Sequence, residues 1–397
     1  MKKVIVIYID GGGGHRAAAR ALDDVIRMQR LPWRVELVNA DEVLEPADPA
    51  VWFLGVRSSV IYNWLLGRDW MIGTKQLLPI IHLIFRLLHP AQVFLLKRRW
   101  SKLQPDLVVS VVPHLNRAFY DSLRRENTRV PFVTILTDLA DYPPRFWIER
   151  QQQHFICGTS TAVRQAEQIA PLAEGIWPVS GMIVHPKFYE SNPIDRAQER
   201  RKLGLDPDLP TGLVLFGGYG SHAMLKVAER IEQARMRLQL IFLCGRNAAL
   251  FHKLQSLNLT YLTHVQGFTE NVVYFMMLSD FLIGKPGPGS ISEALATRLP
   301  VILHTSWRTL AHERFNARWI EEQGVGTAIK RIQDLPSAID QMLRPATYSA
   351  MRRRIEALNN RAVFEIPPIL EQILVPRKES ISPERDERSL ARNERAT

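Results

Sequence analysis

The sequence predicts an α/β protein made of two successive halves, each with its own parallel sheet. Short apolar, β-branched runs alternate with amphipathic stretches along most of the chain, which is the pattern of parallel strands joined by crossover helices. The chain has 397 residues, of which 46% are hydrophobic, so each half can bury a core. A charged fraction of 23% with this hydrophobicity excludes a disordered chain and a polytopic membrane protein.

The predicted strands form two series separated by a polar segment. The first series comprises residues 4–9, 35–38, 107–112, 132–136 and 155–157, and the second comprises 213–216, 240–243, 261–265, 281–283 and 301–303. Residues 185–212, which are rich in proline and charge, predict a short linker helix between the halves. We therefore expect domains at residues 1–190 and 191–376.

The sequence predicts a disordered C-terminal tail, two unpaired cysteines, and neither a secretion signal nor a membrane-spanning helix. Residues 377–397 carry six basic and five acidic side chains and almost no apolar ones, so we expect a disordered tail. Cys157 and Cys244 lie in apolar runs, as core thiols of a cytosolic protein do. The first apolar stretch ends at Asp10, too early for a secretion signal, and the chain has no apolar run long enough for a spanning helix.

A glycine-rich turn follows the first predicted strand. VIVIYID runs directly into four glycines and His15, and an amphipathic helix follows. Glycine permits close approach of a ligand, and the free N–H groups of a helix start attract an anion. The turn therefore predicts a site for a phosphate or polar substrate, in which His15 is either a structural, helix-capping residue or a general base.

The second half begins with the same arrangement, since LVLFGG leads through Gly218, Gly220 and Ser221 into a helix. Both turns satisfy a loose G-x-G-x-x-A pattern, which by itself indicates a dinucleotide fold. The first acidic residue after the second strand is Asp41, about nine residues later than a ribose partner usually lies. This spacing and the position of His15 disfavour NAD-type binding.

Residues 281–296, FLIGKPGPGSISEALA, predict a strand, a rigid turn and a helix. The helix start offers N–H groups to a diphosphate, and Ser290 is a candidate cap or phosphate donor. Glu293 has two interpretations, because it can accept the hydroxyl groups of a ribose or form a capping box with Ser290. The residues alone leave both open.

Nine segments in order along nearly the whole chain resemble the glycosyltransferases of the GT-B fold that make glycolipids. These are the monogalactosyldiacylglycerol synthase and processive diacylglycerol glucosyltransferase group, related to the murein transferase that glycosylates lipid I. The resemblance implies two Rossmann-like domains facing a cleft. It is carried by residues 11–22, 108–117, 133–147, 179–188, 216–221, 243–247, 265–272, 284–303 and 312–326.

The resemblance also implies residue roles. His15 would be the base for the acceptor hydroxyl, bordered by Gly13 and Gly14, and Asp138 would orient His15 or the acceptor. The donor would be a UDP-sugar. Its base would be bound by Arg246 and Phe268, and its diphosphate by Gly218, Gly220 and Ser221. Phosphate and ribose would be bound by Gly287, Gly289, Ser290 and Ile291, the ribose hydroxyls by Glu293, and the sugar by Glu313 and Asn316.

Such an enzyme would displace UDP in one step with inversion. We expect no metal and no cofactor beyond the donor substrate, because helix N-termini and basic side chains can balance the diphosphate and the sequence has no Asp-x-Asp pair. The loop around Glu313 departs from the more common G-Q-E pattern, so the identity of the sugar stays open.

Positive charge is concentrated in one apolar window. Residues 55–103 hold eight basic side chains and one acidic one, and so account for +7 of the total charge of +11. Trp52, Phe53 and Trp100 lie in or beside this window, and a helical projection places His82 and His89 with two of its cations on one stripe. This composition predicts an interfacial helix on anionic lipid, with contacts from Trp64, Trp70, Lys75, Arg86, Arg98 and Arg99.

The charge and the motifs admit other interpretations. The window also fits a core helix with a solvated edge. Nucleic-acid binding is disfavoured because the cations lie among leucines and tryptophans. A UDP-N-acetylglucosamine transferase or epimerase on the same fold, acting on a soluble or another lipid-linked acceptor, stays open. We expect a cytoplasmic enzyme bound peripherally to the inner membrane face; its oligomeric state does not follow from the sequence.

Overall fold

The computed structural model describes residues 1–11, 13–67, 74–190, 194–307 and 309–375. In these residues the chain forms two six-stranded sheets in which all paired strands are parallel, as the alternating pattern predicts. The central strands are short apolar runs buried between helices, because a parallel sheet is covered on both faces, whereas the edge strands are only partly buried.

The first sheet has the strand order β2-β1-β3-β4-β5-β6. Its strands are β1 Lys2–Tyr8, β2 Trp33–Asn39, β3 Leu107–Ser110, β4 Phe132–Ile135, β5 His154–Cys157 and β6 Gly175–Pro178. The helices between them are α1 Gly14–Met28, α2 Ala40–Val43, α3 Pro49–Leu54, α4 Ser58–Gly67, α5 Thr74–Leu103, α6 Asn116–Glu126 and α7 Ser160–Ile169.

The second sheet has the order β12-β11-β10-β7-β8-β9. Its strands are β7 Thr211–Leu215, β8 Gln239–Leu243, β9 Thr263–Gln266, β10 Phe281–Gly284, β11 Val301–His304 and β12 Gly326–Ile329. Its helices are α8 Arg196–Lys202, α9 Ala223–Ala234, α10 Ala248–Gln255, α11 Val272–Met277, α12 Pro288–Ala296, α13 Ala311–Gln323, α14 Leu335–Met342, α15 Pro345–Leu358 and α16 Ala362–Leu374. Helix α8 confirms the short linker helix predicted within residues 185–212.

Two strands were not predicted from the sequence, and both lie at a sheet edge. β6 reads GIWP and β12 reads GTAI. Both are four residues long and begin with glycine, and β6 ends in proline, so their sequences resemble turns more than strands.

The last helix crosses back to the first half. Val363, Ile366 and Leu370 of α16 pack into the core around β1 and α1. Two hydrogen bonds hold the crossing: the N–H of Ser180 donates to Glu365, and the N–H of Arg361 donates to Ser180 Oγ. Residues 362–374, which the sequence placed in the second domain, therefore complete the first core. The predicted tail, residues 377–397, lies outside the described residues.

The loops after the strands of the two sheets meet across a cleft. The rings of Tyr142 and Phe315 lie 5.1 Å apart, and Phe146 stacks on His312 at 6.0 Å. Phe315 also packs with Leu139 and Ala140 of the first half. Both glycine turns are at carboxyl ends of parallel strands, so this cleft is where an open α/β sheet binds ligands.

Candidate active site

His15 stands at the start of α1, directly after the first glycine turn. Gly13 caps this helix with a φ of 82°, a conformation that glycine adopts without strain. His15 Nδ1 lies 2.8 Å from the carbonyl oxygen of Val111 and 3.1 Å from Thr137 Oγ1. Because a carbonyl only accepts, Nδ1 carries the proton and Nε2 is left as the basic nitrogen.

The surroundings keep the His15 ring neutral. Burial lowers its pKa below 6.5, and the electrostatic interaction with His312 across the cleft acts in the same direction. The carboxylate of Asp138 and the Val111 carbonyl oppose this effect but do not outweigh it. His15 is therefore unprotonated near neutral pH, as a general base must be.

Asp138 does not contact His15 through a described hydrogen bond. Its Oδ2 accepts from Trp147 Nε1 at 2.8 Å, and the Trp147 ring lies 5.8 Å from the His15 ring. The expected orienting contact on His15 comes instead from Val111 and Thr137. Asp138 acts on His15 through its charge and by fixing the tryptophan beside it.

A buried aspartate that the sequence analysis did not single out shapes this wall of the cleft. Asp141 accepts the main-chain N–H groups of Arg145, Phe146 and Trp147 at 2.7, 2.8 and 2.7 Å. These bonds hold Phe146 against His312 and Trp147 against His15. The DYPPRFW sequence contains this turn, but its hydrogen bonds depend on how the loop folds back.

In the second half, the turns after β7 and β8 pack backbone against backbone. Gly220 has a φ of 61°, and a Cβ placed on it would lie 2.8 Å from the Cys244 carbonyl oxygen. The N–H of Arg246 donates to the Gly218 carbonyl at 2.9 Å. Ser221 is buried, and its Oγ accepts the N–H of Ala223.

Arg246 and Phe268, which the resemblance assigns to the nucleotide base, lie against each other. The guanidinium carbon lies 4.2 Å from the centre of the Phe268 ring, and Phe268 is 51% exposed. The pair presents a flat face of the kind on which an aromatic base stacks.

Helix α12 begins after the KPGPG turn with Gly287 as its N-cap. Ser290 is the third helical residue and donates to the Gly287 carbonyl at 3.2 Å, so the capping-box interpretation of Ser290 and Glu293 is wrong. Burial raises the pKa of Glu293 to about 7, and Lys187 offsets only part of this rise. Gly289 has open space around it, whereas the Ile291 side chain is buried in the core.

Glu313 forms an ion pair at the start of α13. Lys285 Nζ lies 3.0 Å from Glu313 Oε1. Burial alone would raise the pKa of Glu313, but Lys285, His312 and the Leu310 N–H together lower it, so the group is a carboxylate. Asn316 is fully buried and donates to the Pro286 carbonyl at 2.9 Å. Its Nδ2 therefore holds the KPGPG turn, whereas its buried Oδ1 has no hydrogen-bond partner among the described residues, so the expected sugar contact stays a prediction.

Metal ligands do not cluster in the part of the chain that the structure describes: no group of three or more His, Cys, Asp or Glu there has the arrangement of a metal site.

The surface beside the cleft is apolar at one corner. Residues of α3, α4 and the turn between them expose large apolar side chains, with Phe53 83% exposed, and we name Trp52, Phe53, Leu54, Val56, Val60 and Trp64 the apolar corner. Arg86 and Arg98 on α5 are exposed, and Arg99 lies 3.5 Å from Glu36. Trp70 and the Lys75 and His82 side chains lie outside the described residues.

The basic, apolar window at residues 55–103 contributes both to the core and to the surface. Trp100 is fully buried and donates to Ser122 Oγ, and His89 lies 3.0 Å from Asp121, so neither belongs to an interfacial face. Val93 and Leu96 pack under the first sheet beside Trp100. Among the described helices, none is long and apolar enough to cross a bilayer.

Comparison with known proteins identifies the class. Residues 213–366 match the glycosyltransferase family 28 C-terminal domain. The chain is 28% identical to a probable chloroplastic monogalactosyldiacylglycerol synthase of Glycine max, over 96% of this chain and 73% of the relative. It is 22% identical to the processive diacylglycerol beta-glucosyltransferase of Bacillus pumilus, over 90% and 91%. The crystal structure of Acinetobacter baumannii MurG superimposes with a TM-score of 0.59 at 13% identity, covering 94% of this chain and 100% of MurG.

The two facing α/β halves and the matched domain define a glycosyltransferase with the GT-B fold. More particularly, residues 213–366 resemble the glycosyltransferase family 28 C-terminal domain, and nearly the whole chain is similar to glycolipid glycosyltransferases.

Proposed function

We propose that this enzyme transfers a hexose from a UDP-sugar to diacylglycerol at an anionic membrane surface, with inversion and without a metal. Similarity to monogalactosyldiacylglycerol synthase and to diacylglycerol glucosyltransferase over at least 90% of the chain supports the acceptor class. The observation that carries the proposal is the His15 ring, which keeps a basic Nε2 and lies close enough to His312 of the second half for the two imidazoles to interact electrostatically.

The transfer is a single displacement. The acceptor oxygen attacks C1 of the sugar while His15 Nε2 takes the hydroxyl proton. The bond between C1 and the diphosphate oxygen breaks, and UDP leaves with the electron pair. Attack from the face opposite the leaving group inverts the configuration at C1. The Nδ1–H bond to Val111 stabilises the imidazolium that forms.

The donor half supplies binding groups of matching chemistry. Uracil would stack near the Arg246–Phe268 pair, and Glu293 would accept the ribose hydroxyls. The N-terminus of α12 and the Lys285 ammonium would balance the diphosphate. A protein cation and helix N–H groups would thereby stabilise the negative charge of the diphosphate, as a divalent metal does in other transferases.

The apolar corner would contact the bilayer. Its side chains lie on the same half as His15, and the exposed cations of α5 follow in sequence. Each cation at an anionic surface contributes about 1 kcal/mol, so a few suffice for reversible docking together with the apolar contacts. A lipid acceptor could then reach His15 without leaving the surface.

Incubation with radiolabelled UDP-glucose, UDP-galactose or UDP-N-acetylglucosamine and diacylglycerol vesicles, followed by lipid extraction, tests the reaction. We expect a labelled glycolipid from one of the two hexose donors, and undiminished activity in EDTA. Label transferred from UDP-N-acetylglucosamine alone would support the transferase alternative. Absence of lipid label with all three donors would refute the proposal.

Vesicle co-sedimentation tests the docking surface separately. We expect binding that increases with anionic lipid and weakens with salt. Binding that depends on neither would exclude the membrane interpretation, whatever the outcome of the transfer assay.

A further inference from the structure

Helix α4 has one face fixed to the catalytic half and the other exposed. On the inner face, Asn63 Nδ2 donates to the Asp10 carbonyl at 2.9 Å, and Ser59 hydrogen-bonds the Asp41 side chain. On the outer face, Val60 and Trp64 are 54% and 50% exposed. At roughly 100° per residue, Tyr62 is about opposite these two side chains. Helix α4 therefore carries Tyr62 inward, toward the first glycine turn.

The Tyr62 ring lies over that turn and reaches toward the donor half. A Cβ placed on Gly11 would lie 3.8 Å from Cδ1 and Cε1 of Tyr62. Among the charged groups that affect the pKa of the Tyr62 phenol, Lys285 and Glu313 across the cleft have the largest effects, followed by Asp138. Burial raises its pKa above 10, so the hydroxyl is neutral and can both donate and accept.

We propose that Tyr62 is a substrate-contacting residue, whose hydroxyl hydrogen-bonds a hydroxyl group of the hexose while Glu313 holds the sugar from the donor half. This inference rests on the proposed function. A neutral phenol matches a sugar hydroxyl, which needs both a donor and an acceptor, better than it matches a diphosphate. The single hydroxyl of diacylglycerol is already used by His15.

The variant Tyr62→Phe tests this role, because it removes the hydroxyl and keeps the ring over Gly11. Tyr120→Phe is the matched control, since Tyr120 packs on Phe132 and Arg124 away from the cleft. Both full-length variants are assayed with diacylglycerol vesicles and the UDP-sugar that the wild type uses. Calorimetry measures the Kd of UDP alone.

We expect Tyr62→Phe to lower kcat/KM about 10-fold while the Kd of UDP changes less than twofold. Tyr120→Phe should match the wild type in both. Unchanged kcat/KM in Tyr62→Phe would overturn the assignment, and so would a parallel loss of UDP affinity, which indicates a structural role. A wild type that transfers no hexose would instead refute the proposed function itself.

Discussion

Replacing His15 with alanine removes the base and leaves the donor half intact. General-base catalysis contributes about 10²- to 10⁴-fold, so turnover should fall by that factor, equivalent to roughly 3–5 kcal/mol in the activation free energy. The structure favours the full effect, because the Val111 carbonyl at 2.8 Å holds the proton on Nδ1 and the lowered pKa keeps Nε2 unprotonated. The affinity for UDP should not change, since His15 belongs to the first half.

Initial rates of lipid labelling and calorimetric titration with UDP measure the two effects separately. Thr137→Val is the informative companion: it removes the 3.1 Å contact but leaves the Val111 carbonyl, so its turnover should fall less than 10-fold. His252→Ala, on the exposed side of α10, should be neutral. Undiminished turnover in His15→Ala would refute the assignment of the base, and a comparable loss of UDP binding would show that the variant disturbs the fold.

Further predictions concern pH, the donor carboxylate, the turn and the apolar corner. The kcat of the wild type should fall only below pH 6.5, as His15 becomes protonated, and a flat profile there would contradict its role. UDP affinity should increase as pH rises through about 7, where Glu293 ionises. Glu293→Gln should remove this pH dependence and weaken UDP binding. The same variant should raise the Tm at pH 8, because its folded state no longer buries a carboxylate. Gly220→Ala should cost about 1–2 kcal/mol in the free energy of unfolding by denaturant titration, whereas Gly218→Ala, with open space around it, should not. Trp64→Ala should weaken vesicle co-sedimentation while UDP affinity stays constant, and equal sedimentation would remove Trp64 from the docking surface.

Local sequence chemistry was sufficient for the elements that turn directly from a strand into a helix. A β-branched run followed by glycines and a helix start gives the same geometry wherever it occurs, so the turns at Gly13, Gly220 and Gly287 were predicted from the residues alone. The strands β6 and β12 were missed because they are short and contain the turn-forming residues glycine and, in β6, proline. The packing of α16 on the first half was missed because the apolar composition of this helix suits the core of either half. Only the folded structure shows that it packs in the core of the first half.

Side-chain roles divide in the same way. The residue pattern alone was sufficient for the fold class, the two glycine turns and the candidates His15 and Glu293, because each depends on residues adjacent in the chain. Arg246 and Glu313 were candidates only through the resemblance to the glycosyltransferase group. The contacts of the other side chains follow from the folded structure, which pairs Asp138 with Trp147, directs Asn316 to the KPGPG turn and buries Trp100. It also brought Tyr62 and His312 to the cleft from distant segments. Such contacts join residues far apart in sequence, and their energies depend on burial and distance, which no local pattern encodes.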